Sequence, residues 1–243
     1  MLSTESLEKI DAAINKVYQD ASYQGNSNIT SLYKLITNAY PIRLDEVENL
    51  SYYSANKFLA RNIGLDIDLP EHTNHKLAGF LYAREYGGSL YGCILVEKKD
   101  PVVRRRFTAA HELGHYLLHL LPVLQQDKES TRLMSFTEGL SYFDGVDDKS
   151  SLPVGELATH SVTDVTTSIR MASIEQLELE ANQFAANILM PEITCKNLVE
   201  DYQKRFFNPQ PSLIRRLANE FLVSQEAMKW RLNSLGLIDF SQI

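Results

Sequence analysis

Arg104 to Leu121 reads RRRFTAAHELGHYLLHLL. His111 and His115 stand four residues apart, and on an α-helix that step turns about 40° and rises about 6 Å. Two imidazoles at this spacing share one face and can grip one ion. Zinc suits two neutral imidazoles with a carboxylate, and a fourth position left open takes a water whose pKa falls to about 7. Glu112 is rotated by about 100° from His111, off the ion but beside that water, where a general base belongs. The competing reading is an ordinary helix with polar surface residues. Phe107, Ala110, Leu113, Tyr116, Leu117, Leu118 and Leu121 leave little of the helix fully solvated, however, and histidines buried there without a metal need other hydrogen-bond partners. Gly114 costs about 1 kcal/mol relative to alanine inside a helix, which points to a close backbone approach at that position.

Working outward, Asp100-Pro101 offers an N-cap and a first-turn proline for this helix. Before it, LAGFLYARE and SLYGCILVEKK alternate apolar, aromatic and β-branched residues around Tyr86-Gly87-Gly88, predicting a β-hairpin. The strand SLYGCILVE is a candidate edge for an extended substrate peptide. After the helix, residues 125–172 are polar without a helical period and read as an insertion. The next long helix, SIEQLELEANQFAANILM, is acidic in its first half and ends at Pro191. It is the best source of a third ligand among Glu175, Glu178 and Glu180, with Glu180 the first choice and Glu178 the second.

His119 reads as structural, because the longer HExxHxxGxxH arrangement needs a glycine turn and a later histidine that are absent. Asn182 reads equally as a hydrogen-bond partner of a ligand or as a helix-capping or backbone contact. Arg104, Arg105 and Arg106 read as a surface ion-pair cluster.

At the N-terminal end, Leu7, Ile10, Ile14, Val17 and Tyr18 line one helical face with Ser3 or Thr4 as N-cap. ITSLYKLI is a second helical segment, and a third helical stretch is predicted from Pro41 to a stop at Gly64. At the other end, SLIRRLANEFLVSQEAMKWRLNSLG has the cadence of a helix-turn-helix with its turn at LVS. Lys204, Arg205, Arg215, Arg216, Lys229 and Arg231 suit phosphate contacts, so DNA binding is open. The apolar spacing of Leu213, Leu217, Phe221, Met228 and Leu232 favours packing instead. The expected organisation is an N-terminal helical region (1–63), a metallopeptidase core (64–198) with the insertion, and C-terminal helices (199–243).

The 243 residues are 44% hydrophobic, enough for a sizeable core, and the net charge of −7 works against general attraction to nucleic acid. Cys93 and Cys195 lie far apart outside any CxxC pair, which argues against a disulfide framework or a thiolate zinc site. No apolar run reaches membrane-spanning length and the first residues lack a basic start with an apolar run, so the expectation is a soluble cytoplasmic protein.

RRRFTAAHELGHYLLH followed by LELEANQFAANILMP closely resembles the ImmA/IrrE family of bacterial metallopeptidases, whose pattern is RRFTxAHELGH and then EAxxFAAxLLMP. The resemblance implies an α+β zinc-metallopeptidase domain with a short mixed sheet or hairpin, flanked by helices. It implies His111, His115 and Glu180 as metal ligands, Glu112 as catalytic glutamate, and zinc as the ion; by donor chemistry, manganese or iron can also occupy a site of two histidines and a glutamate. It also implies a protein substrate, a helix-turn-helix transcriptional repressor whose cleavage lifts repression. The alternative is a non-catalytic zinc-containing regulator that binds a repressor or DNA through its terminal helices. The interval from His115 to Glu180 is longer than the family's.

Overall fold

The computed structural model describes residues 2–22, 29–64, 76–87, 89–122, 134–137, 174–205 and 210–238. The described elements begin with α1 (Thr4–Asp20), α2 (Leu32–Ala39), β1 (Ile42–Val47), α3 (Tyr52–Ile63), β2 (Gly79–Tyr86) and β3 (Ser89–Glu97). They continue with α4 (Val102–His115), a π-helical turn (Tyr116–Leu120), β4 (Met134–Thr137), α5 (Ile174–Leu189), α6 (Glu192–Arg205), α7 (Gln210–Phe221) and α8 (Gln225–Ser234). The architecture is α+β, with a mixed sheet of order β1-β3-β2-β4.

Alternation along the hairpin sets the layers. Leu81, Ala83, Ile94 and Val96 point into the large core shared with α4, whereas Phe80, Tyr82, Cys93 and Leu95 meet Leu50 and the α3 residues Tyr52, Ala55 and Leu59. Side chains on successive strand residues alternate faces, so a strand covered on both sides reads as continuously apolar, as CILV does in β3. Burial pushes the Cys93 thiol up to about 12, in keeping with a small core hydrophobe.

Two expectations are corrected here. The stretch after Pro41 is not helical throughout: Ile42–Val47 forms β1, parallel to β3, and α3 begins only at Tyr52. IRLDEV carries a weak strand pattern of its own, and the ladder to β3, some fifty residues away in register from Ile42 to Gly92, decides it. Flanked by β1 and β2, β3 is interior and has no free edge for an added peptide. The helical stops and starts follow the sequence more closely. Ser3 caps α1 through its side chain, Ser51 closes a capping box on α3, and Gly64 ends α3 with φ 72°.

On the other side of α4 lies α5. A Cβ on Gly114 would stand 3.1 Å from Phe184 Cδ1 and 3.2 Å from Ala181 Cα, so the two helices approach backbone to backbone at this glycine. That contact accounts for the glycine in the helix interior. In turn α1 packs on α5, with Tyr18 donating to the Ile188 carbonyl oxygen, which also accepts from Thr30 just before α2.

The C-terminal helices join the same core through Leu213, Ile214, Leu217, Phe221, Met228 and Leu232, the packing that their spacing favours. Their turn lies at Leu222, φ 53°, and Ser224 caps α8. Buried Arg231 donates from Nε to the Met190 carbonyl oxygen at 3.0 Å. Arg106 joins the turn and the N-terminal region, donating to the Leu222 and Thr30 carbonyl oxygens at 3.2 and 3.1 Å. Arg104 and Arg105 fit the surface ion-pair reading, with Asp100 and Glu46 as partners. Among the described residues, no helix is long and apolar enough to cross a membrane.

Candidate metal centre

Helix α4 buries its polar motif. Thr108, His111, Glu112 and His115 are all nearly inaccessible, held between the sheet on one side and α5 on the other. The Nε2 atoms of His111 and His115 lie 2.9 Å apart, and the two Glu178 carboxylate oxygens lie 3.3 Å from them, Oε2 from His111 and Oε1 from His115. Ligand atoms on a tetrahedral zinc stand about 3.3 Å from one another, so this triad needs only a few tenths of an ångström of adjustment between the imidazoles to enclose an ion. Among the described residues, His111, His115 and Glu178 form the group able to hold a metal.

Glu178, the second choice of the sequence reading, is the carboxylate that lies beside the two imidazoles, and Glu180, the first choice, does not. Glu180 is turned to the other side of His115's neighbour: its Oε2 lies 3.2 Å from His119 Nε2, and its Oε1 accepts from Ser6 Oγ at 2.8 Å and Gln176 Nε2 at 3.1 Å. Residues two apart on a helix point about 200° apart, so Glu178 and Glu180 cannot both face α4 in the same way. The α4-facing stripe runs through Ala181 and Asn182, and Glu178 lies four residues before Asn182 on that stripe.

Asn182 takes the hydrogen-bonding role. Its Oδ1 lies 2.9 Å from His111 Nδ1, and since an amide oxygen only accepts, the imidazole carries its proton on Nδ1 and presents an Nε2 lone pair to the triad. His115 is gripped from behind by His119, Nδ1 to Nδ1 at 3.0 Å. Burial, reinforced by His111, pushes the His115 pKa down to about 3, so the ring is neutral at physiological pH. Burial likewise lowers His119. Two imidazoles and a carboxylate make a donor set that suits a borderline divalent ion.

Glu112 is fully buried at the start of β2. A Cβ on Gly79 would fall 2.4 Å from Glu112 Oε1 and 2.5 Å from Thr108 Cγ2. The strand's first residue must lack a side chain for this carboxylate to lie where it does, a requirement that nothing in the local sequence announces. Tyr116, next to the motif, points to the sheet instead and donates to the Leu90 carbonyl oxygen at 3.1 Å.

The family model of the IrrE N-terminal-like domain, Peptidase_M78, matches residues 61–135 and 159–233, more than half of the chain. The chain belongs to the IrrE N-terminal-like family. Its members' designation as peptidases and the donor set of the triad agree on a metallopeptidase with a divalent ion. The match spans both the α4 and the α5 halves of the site and breaks at 136–158, inside the predicted insertion, most of which lies outside the described residues. It also takes in α6, α7 and most of α8, so the C-terminal helices are part of the IrrE N-terminal-like match. Among curated proteins, none matches the chain.

Proposed function

We propose that this IrrE N-terminal-like chain is a cytoplasmic zinc endopeptidase of regulatory type that cuts a specific protein, a helix-turn-helix transcriptional repressor. The observation that carries the chemistry is the convergence of His111, His115 and Glu178 beside the buried Glu112. His111 Nε2, His115 Nε2 and the Glu178 carboxylate would hold the ion. Bound there, a zinc ion supplies Lewis acidity that polarises a carbonyl and acidifies water, and manganese or iron can stand in for it.

The chain's own residues do the rest. Glu112 takes the proton from the attacking water on a carboxylate oxygen as the water oxygen bonds to the scissile carbonyl carbon. It then delivers that proton to the amide nitrogen as the C–N bond breaks. Asn182 and His119 keep the two imidazoles oriented through the cycle.

The competing reading, a regulator with a purely structural zinc, requires a fourth protein ligand. His119 and Glu180 are the nearby spare donors, and their mutual contact together with the bonds of Glu180 to Ser6 and Gln176 directs both away from the triad. This favours an open position and hence catalysis. The test is to incubate the unchanged protein and Glu112→Gln with a helix-turn-helix repressor encoded beside it, and to measure metal content of both. One zinc per chain in each, with cleavage by the unchanged protein alone, is the expected result. Cleavage that survives Glu112→Gln would sink the enzymatic reading.

A further inference from the structure

A line of buried polar side chains runs away from the triad. From His115 Nδ1 it passes to His119 Nδ1 at 3.0 Å, and from His119 Nε2 to Glu180 Oε2 at 3.2 Å. Glu180 is itself held by Ser6 of α1 at 2.8 Å, Gln176 at 3.1 Å and Lys9 Nζ at 3.4 Å. His119 and Glu180 are 4% and 6% exposed, so bulk water does not supply these bonds.

The direction of the protons follows from the chemistry of the end group. A carboxylate only accepts, so His119 Nε2 carries the hydrogen that meets Glu180. A His115 that ligates through Nε2 carries its hydrogen on Nδ1, so in the bond between the two Nδ1 atoms His115 donates and His119 accepts. That leaves His115 Nε2 as the lone pair aimed at Glu178 and His111. The chain of contacts is matched to the one tautomer of His115 that can serve as a ligand through Nε2.

We infer that His119 and Glu180 are a positioning pair for the metal site: they fix the tautomer and orientation of His115, and α1 fixes them through Ser6 and Lys9. This inference rests on the metallopeptidase reading, because it assigns the pair its duty toward an ion held by His115. A histidine ligand oriented through a carboxylate is a common arrangement, and loss of such a partner lowers metal affinity about 10–100-fold. Here an imidazole is interposed between ligand and carboxylate, which carries the orienting charge to a second layer and joins it to the N-terminal helix. The π-helical turn from Tyr116 to Leu120 holds His119 on the far side of the His115 ring.

The experiment titrates cobalt(II) into the full-length protein against a competing chelator, reading affinity and the visible absorption bands of the bound ion. The proteins compared are the unchanged chain, His119→Phe, His119→Asn and Glu180→Gln. Phenylalanine keeps the bulk and removes both nitrogens, so affinity should fall about 10–100-fold with displaced bands. Asparagine can place an oxygen near the Nδ1 position and should restore most of the loss. Glu180→Gln keeps an accepting oxygen but removes the charge, and its loss should be smaller than that of His119→Phe. Nitrogen-resolved NMR of the metal-free protein adds a readout independent of the ion: His115 should carry its hydrogen on Nδ1 in the unchanged chain and lose that preference in His119→Phe. If His119→Phe does not fold, Glu180→Gln and the NMR tautomer decide the question.

Native affinity and bands in both His119→Phe and Glu180→Gln would overturn the pairing, as would a His115 hydrogen found on Nε2. An unchanged protein that binds no cobalt would overturn the metal centre itself, and the pairing with it. Intact cobalt binding without peptidase activity would leave the pairing standing and count against the enzymatic reading alone.

Discussion

Glu178 and Glu180 sit two residues apart on one helix and meet different imidazoles of the same cluster. Glu178 is partly exposed and meets the Nε2 atoms of His111 and His115, while Glu180 is buried and meets His119 and α1. The half-turn between them explains the division, since α5 cannot aim both carboxylates at one ion. What differs is the company each keeps. Glu178 shares a stripe with Ala181, packed on Gly114, and Asn182, bonded to His111. Glu180 belongs to the stripe that α1 covers. A carboxylate's duty here is set by its helical face rather than by its proximity in sequence to a motif.

The largest effect should come from exchanging the two roles. Glu178→Ala should abolish stoichiometric zinc binding, measured by metal analysis after dialysis, whereas Glu180→Ala should retain zinc with an affinity lower by about 10–100-fold. If Glu180→Ala alone lost the metal, the assignment of the two carboxylates would be reversed. Gly114→Val is next: branched carbons would enter a gap of 3.1–3.3 Å against Phe184 and Ala181 and push α5 off α4. Overpacking of this kind costs about 1–3 kcal/mol, read as a lower midpoint in urea, and zinc affinity should fall with it because Glu178 and Asn182 ride on the displaced helix. Gly79→Ala probes the opposite flank of the site. Displacement of Glu112 by about 1 Å should lower peptidase activity up to about 100-fold while zinc content stays at one per chain. Lys9→Ala should do least, since Lys9 is half exposed: less than about 1 kcal/mol of stability and only a slight loss of metal affinity.

How far the sequence could be read differs between the two helices of the site. In α4, His111, Glu112 and His115 lie within five residues, so helical geometry alone places them. Choosing between Glu178 and Glu180 required knowing which face of α5 meets α4. A signal was present: Asn182, if taken as the partner of a ligand, selects Glu178 four residues earlier. Gly114 announced its close contact because glycine is unfavourable inside a helix, but Gly79 opens a strand, where glycine at an end carries no such mark. β1 was missed because its pairing partner lies far along the chain, and a window of local sequence contains only half of a ladder.

The sequence by itself determined the things that depend on short spans: the helical imidazole pair with its glutamate, the hairpin, the caps at Ser3 and Gly64, and the apolar stripes that pack the C-terminal helices. Only the tertiary structure decided which carboxylate completes the triad, that β3 is covered on both edges, and that α1 is connected through Glu180 and His119 to His115. The reason is one of range. Helical period and turn chemistry act over a few residues, whereas a site assembled from α1, β2, α4 and α5 depends on how those elements are rotated against one another, and that rotation is fixed by packing across the whole core.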